Sequence, residues 1–68
     1  MTMREAERLN QVLVDLHNQY LTHFQAREGA RPEVRHEARD VASLAHERWA
    51  AGHLRAAVSD YCEALRIL

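Results

Sequence analysis

The chain has 68 residues and a single cysteine, Cys62, so it forms one domain at most and cannot close an intramolecular disulfide. Nine basic and ten acidic residues leave a formal net charge of −1, which argues against generic attraction to DNA or to an anionic membrane. A domain of this size buries only about 60% of the surface its unfolded chain exposes, so a metal or a second polypeptide is the expected supplement.

No apolar run reaches the ~18 residues of a membrane-spanning helix. The opening Met1-Thr2-Met3-Arg4-Glu5-Ala6-Glu7 has no apolar signal-peptide core. With a lone thiol, this predicts a cytoplasmic protein.

Breakers are few, namely Gly29, Pro32 and Gly52, and helix formers dominate the rest. The chain is therefore read as all-α, in three segments. The first helix is predicted from Met3 to Arg27, with Thr2 as N-cap and Glu5 completing a Thr-x-x-Glu capping box. Leu9, Leu13, Leu16, Tyr20 and Phe24 form its apolar stripe, which Val12 and Leu21 widen. A helix of about 25 residues is about 37 Å long, more than a short hairpin covers.

Gly29 is expected in the left-handed conformation that ends this helix, and Pro32 in the first turn of the next. The second helix is predicted from Pro32 to Ala51, with Val34, Ala38, Val41, Ala45 and Trp49 on its apolar stripe and Leu44 beside it. Gly52-His53 is read as a second turn. The third helix is predicted from Leu54 to Ile67, with Leu54, Ala57, Val58, Tyr61, Leu65 and Leu68 on one face. A glycine inside a helix costs only about 1 kcal/mol, so an unbroken helix from 32 to 67 is the alternative; it would give a two-helix hairpin that dimerises into a four-helix bundle.

Residues 38–68 carry a more specific pattern. Val41, then Leu44 with the small Ala45, then Gly52, Leu54, Ala57, Tyr61 and Ala64 follow one another in the order that suits two closely packed antiparallel helices. This stretch resembles a single tetratricopeptide (TPR) motif. The resemblance implies a helical hairpin with Ala45, Gly52, Ala57, Tyr61 and Ala64 as helix-packing positions. It also implies a habit of binding helical or extended peptides, and it implies no particular ligand.

Other constellations point to less. Glu33-Val34-Arg35-His36 has the Glu-x-x-His spacing of di-iron bundles, but it occurs once and no inward Glu stands out on the first helix. His46-Glu47-Arg48-Trp49-Ala50 lacks the second His of a zinc-protease motif. His17, His36, His46 and His53 are expected on solvated helix surfaces, and His23 beside the apolar stripe. Cys62 is expected as a small, half-buried core residue. No Ser/His/Asp set, Gly-rich phosphate loop or paired-carboxylate motif is present. The expectation is no enzyme, no cofactor, no metal and no small-molecule substrate.

The leading expectation is a long N-terminal helix packed on a TPR-like hairpin, acting as a protein interaction module: a regulator, inhibitor or chaperone-like adaptor. Leu9, Leu13, Leu16, Tyr20, Phe24 and Trp49 are its candidate partner-binding residues, and a homodimer or a complex with another protein is expected. The alternative is a small dimeric helical regulator of nucleic acid. Arg31, Arg35 and Arg39, which continue a four-residue spacing from Arg27, would be its phosphate contacts. Glu28, Glu33, Glu37 and Asp40 interleave with them, which favours intrahelical pairing over phosphate binding.

Overall fold

The computed structural model of the chain describes residues 1–29 and 31–68. Three helices follow in order: α1 (Met3–Ala26), α2 (Pro32–Ala50) and α3 (Leu54–Ile67). Among the described residues no strand is present. Among those residues no helix is long and apolar enough to cross a membrane.

Local chemistry sets most of the boundaries. The Thr2 Oγ1 accepts from the Glu5 backbone N–H at 3.1 Å, satisfying one orphan donor at the start of α1. The expected capping box is only half formed. The Glu5 carboxylate instead accepts from Arg55 of α3 at 3.3 Å. Pro32 stands at the N-terminus of α2, where its missing N–H is not needed.

The α2 helix ends in a Schellman motif. The His53 N–H donates to the Arg48 carbonyl at 2.8 Å and the Gly52 N–H to the Trp49 carbonyl at 3.0 Å. Gly52 takes φ +87 at the hinge of this motif. The break predicted at Gly52 is therefore real, and the unbroken helix over 32–67 is not formed.

The exit from α1 differs from expectation. Gly29 does not adopt a left-handed φ. The last turn tightens instead, with the Glu28 N–H donating to the Gln25 carbonyl at 3.2 Å. That bond caps the helix end without a left-handed residue.

The helices run up, down and up. Asn10 meets Trp49 and Phe24 meets Arg35, so α1 and α2 are antiparallel. Glu5 meets Arg55, and His17 and Tyr20 meet Tyr61, so α1 and α3 are parallel. The α3 helix packs closely along both of the others, while the α1 and α2 backbones stay apart for most of their length. The whole is elongated, 41 × 17 × 15 Å.

The core explains that asymmetry. Among the described residues, five of the nine buried ones are alanines: Ala38, Ala42 and Ala45 on α2, and Ala57 and Ala64 on α3. Small side chains on both partners let α2 and α3 pack closely. Leu13, Tyr20, Leu54 and Tyr61 supply the bulk, and Leu13 and Tyr61 are almost wholly buried. The Arg48–Asp60 ion pair, at 2.7 Å, ties α2 to α3 beside this seam.

Candidate functional site

The separation of α1 from α2 leaves an open cleft over α3, with a volume of about 400 Å³. Its floor is made by Tyr20, Ala42 and Tyr61, one residue from each helix. His17 forms the α1 wall, and Arg39, Ser43, His46 and Glu47 form the α2 wall. The α2 residues fall at spacings of three and four, which places them on one helix face. On α1, Val14 and Leu21 flank His17 at i−3 and i+4 and so share its face. Both are large apolar residues left exposed, at 42% and 43%.

One end of the cleft is an aromatic cluster. His17 lies 5.8 Å from Tyr61, 6.4 Å from Trp49 and 6.3 Å from His46, centroid to centroid. Trp49 meets Tyr61 edge-on at 6.3 Å. Edge-to-face pairs of this kind add to the energy of burial alone. Three of the four rings have their polar edges engaged. The His17 Nδ1 and the Tyr61 hydroxyl share a hydrogen bond of 3.1 Å, and the Trp49 indole N–H donates to Asn10 Oδ1 at 2.9 Å.

Burial pushes both floor hydroxyls above the ordinary tyrosine value of 10.0. The positive charges of Arg39 and Arg35 partly oppose this at Tyr20, whereas the neighbouring Tyr20 reinforces it at Tyr61. At neutral pH the floor is therefore uncharged. The two rings are almost wholly buried, and the Tyr61 hydroxyl is already bonded to His17, so the floor is a neutral, largely apolar base beneath the polar rim of the cleft.

The predicted partner-binding residues are redistributed. Leu13 and Tyr20 are buried in the chain's own core, and Leu9, Leu16, Phe24 and Trp49 pack against it half-buried. Most of the α1 stripe expected to face a partner thus faces α3. The apolar surface of α1 that remains open is Val12, Val14 and Leu21, with Met1 and Met3 at the N-terminal end. Val14 lies off the sequence stripe and was legible only through its register with His17.

The predicted packing positions cluster at the α2–α3 seam. Ala45, Ala57 and Ala64 are fully buried, Tyr61 nearly so, and Gly52 makes the turn. Two expectations are corrected. His17 is half-buried among aromatic rings, because its register on α1 turns it toward Tyr61. Cys62 is exposed and unpaired, since it falls on α3 outside the arc of Leu54, Ala57, Tyr61 and Ala64.

The arginines predicted as phosphate contacts are divided. Arg31 is exposed at the α2 N-cap. The Arg35 guanidinium lies over the Phe24 ring, its carbon 4.1 Å from the centroid. Its buried Nε has no hydrogen-bond partner, and the ring face takes that role electrostatically. Arg39 donates to His36 Nδ1 at 3.0 Å. Among the described residues, no group of three or more His, Cys, Asp or Glu side chains is placed to hold a metal ion.

No family model, curated protein or solved structure matches the chain.

Proposed function

We propose that the chain is a non-enzymatic interaction module that holds an α-helical segment of a partner in the cleft between α1 and α2. The observation that carries this reading is the open cleft of about 400 Å³ between the α1 and α2 backbones, with His17 on one wall and Arg39, Ser43, His46 and Glu47 on the other. A docked helix would lie over the mouth of the cleft, at His17, Arg39, Ser43, His46 and Glu47, above the nearly buried Tyr20, Ala42 and Tyr61. Its flanks would meet Val14 and Leu21 on one side and the polar α2 wall on the other. This is the helix-in-groove mode of recognition. Tyr and Trp at the centre of such a groove are the side chains that most often dominate binding energy.

The TPR-like order of residues 38–68 agrees with a scaffold of this kind. The chemistry of the walls agrees as well. The α2 wall, with Arg39, Ser43, His46 and Glu47, offers polar partners for the flank of a docked helix. The same reading holds whether the helix comes from another protein or from a second copy. We place the module in the cytoplasm, where a reducing environment suits the exposed thiol of Cys62.

The test is selection of helical peptides from a displayed library against the intact chain. Leu21→Glu and Ser43→Arg, both at exposed positions, then serve as cleft variants. Each is expected to weaken a selected helix by about tenfold or more, the effect of losing one central contact. Selected helices that bind both variants as tightly as the parent chain would contradict the proposal.

A further inference from the structure

The α2 wall of the cleft has a charge order that is its own complement. Arg39, Ser43 and Glu47 are spaced four apart, so they lie in one row along the exposed edge of α2. A cation stands at one end of the row, an anion at the other and a small residue between. Among the described residues neither Arg39 nor Glu47 takes part in an ion pair. Among the described residues the side-chain hydrogen bond of Arg39 goes to the imidazole of His36, on its own helix.

We propose that the helix docked in this cleft is α2 of a second copy, running antiparallel about a two-fold axis at Ser43. The proposal rests on the cleft reading above and names its partner. In a two-fold interface each contact occurs twice, with residues exchanged. Positions whose numbers sum to 86 then face each other. Arg39 meets Glu47 of the partner subunit, Asp40 meets His46 of the partner subunit, and Ser43 meets Ser43 of the partner subunit. The small central side chain lets the two helices approach closely. A parallel pairing in the same row would oppose Arg39 to Arg39 and Glu47 to Glu47, so the charge order selects the antiparallel arrangement.

The charges fix direction and register rather than strength. Exposed ion pairs contribute little on their own, and salt screens them. The affinity comes from apolar surface that the monomer leaves open. On α1, Val14 and Leu21 are left exposed on the His17 face, beside the cleft, and would be covered by the incoming helix. The slender alanine-rich core gives this burial a second role, since a small domain gains stability from a partner subunit.

The experiment is sedimentation equilibrium of the intact chain over a wide concentration range at low salt. The variants are Arg39→Glu, Glu47→Arg and the two together. Both positions are exposed, and far-UV circular dichroism confirms that each variant is folded. The parent chain is expected to dimerise, and each single reversal to raise the dimer dissociation constant by about tenfold or more, because it sets like charges opposite each other twice. The double exchange is expected to return it to within about threefold of the parent, since both pairs are restored with reversed polarity. A monomeric parent chain, single reversals without effect, or a double exchange no better than the singles would each overturn the pairing. Peptide binding separates this failure from the wider one. A monomeric chain that still binds a selected helix, and loses it on Ser43→Arg, overturns self-pairing while leaving the cleft in place. A dimer that ignores both Leu21→Glu and Ser43→Arg overturns the cleft reading as well.

Discussion

The two glycines of the chain should respond to the same substitution with opposite signs. Gly52 has φ +87, and a Cβ built on it meets nothing within 4 Å. Any cost of Gly52→Ala is therefore backbone strain, not a clash. Holding an L-residue in the left-handed region costs about 1–2 kcal/mol. The stiffer alanine returns about 0.4–1 kcal/mol by reducing the freedom of the unfolded chain. The net is a loss of up to about 1.6 kcal/mol, equivalent to up to roughly 13 °C in Tm for a domain of this size. Gly29 also has open space around it, but its φ lies outside the left-handed region. Gly29→Ala carries only the unfolded-state term, a gain of about 0.4–1 kcal/mol. Thermal and urea unfolding followed by circular dichroism at matched protein concentration measures both. A Gly52→Ala variant as stable as Gly29→Ala would refute the assignment of the Schellman turn to Gly52 and of a non-left-handed exit to Gly29.

Three further outcomes follow from the packing and the floor of the cleft. Ala57→Leu, at a fully buried position on the α2–α3 seam, should cost about 1–3 kcal/mol by overpacking, while Leu44→Ser at an exposed position should stay within about 0.5 kcal/mol in urea titrations. Stability should fall as pH rises beyond 10, because the unfolded chain releases the Tyr20 and Tyr61 protons before the folded chain does; below that pH the contribution is fully present. Melting curves between pH 8 and 11 should show a shallower alkaline decline for Tyr20→Phe than for the parent. Asp60→Asn should lower stability by up to about 1 kcal/mol through loss of the partly exposed 2.7 Å ion pair with Arg48, and the difference should shrink in high salt.

The helices were legible in the sequence because their signals are local. Thr2, Pro32 and Gly52 each act through hydrogen bonds or dihedrals within a few residues, so their effects need no knowledge of the fold. The alanines at 45, 57 and 64 were legible for a related reason, since small residues at helical spacing are useful only where two helices come close. Gly29 was misjudged because two ways of ending a helix compete, and the tighter last turn from Gln25 to Glu28 removed the need for a left-handed residue.

The cleft was not legible. Periodicity shows that α1 has an apolar face but not which neighbour covers it. Here α3 takes Leu13 and Tyr20, the side of α1 toward α2 carries Asn10, His17 and Phe24, and Val14 and Leu21 are left exposed beside His17. Nothing in the local sequence distinguishes His17 from the exposed His23 until Tyr61, forty-four positions away, is brought to 3.1 Å from it. The row of Arg39, Ser43 and Glu47 was visible as helical spacing, but its meaning depends on its being the open wall of a groove.

The central claim is that a helix docks between α1 and α2. Chemical-shift mapping by NMR on addition of a selected helical peptide to the isotope-labelled chain tests it most directly. The account predicts that the perturbed residues centre on Val14, His17, Leu21, Ser43 and the Trp49 indole. Perturbations gathered instead on the exposed outer face of α3, at Arg55, Ser59, Glu63 and Arg66, would contradict it.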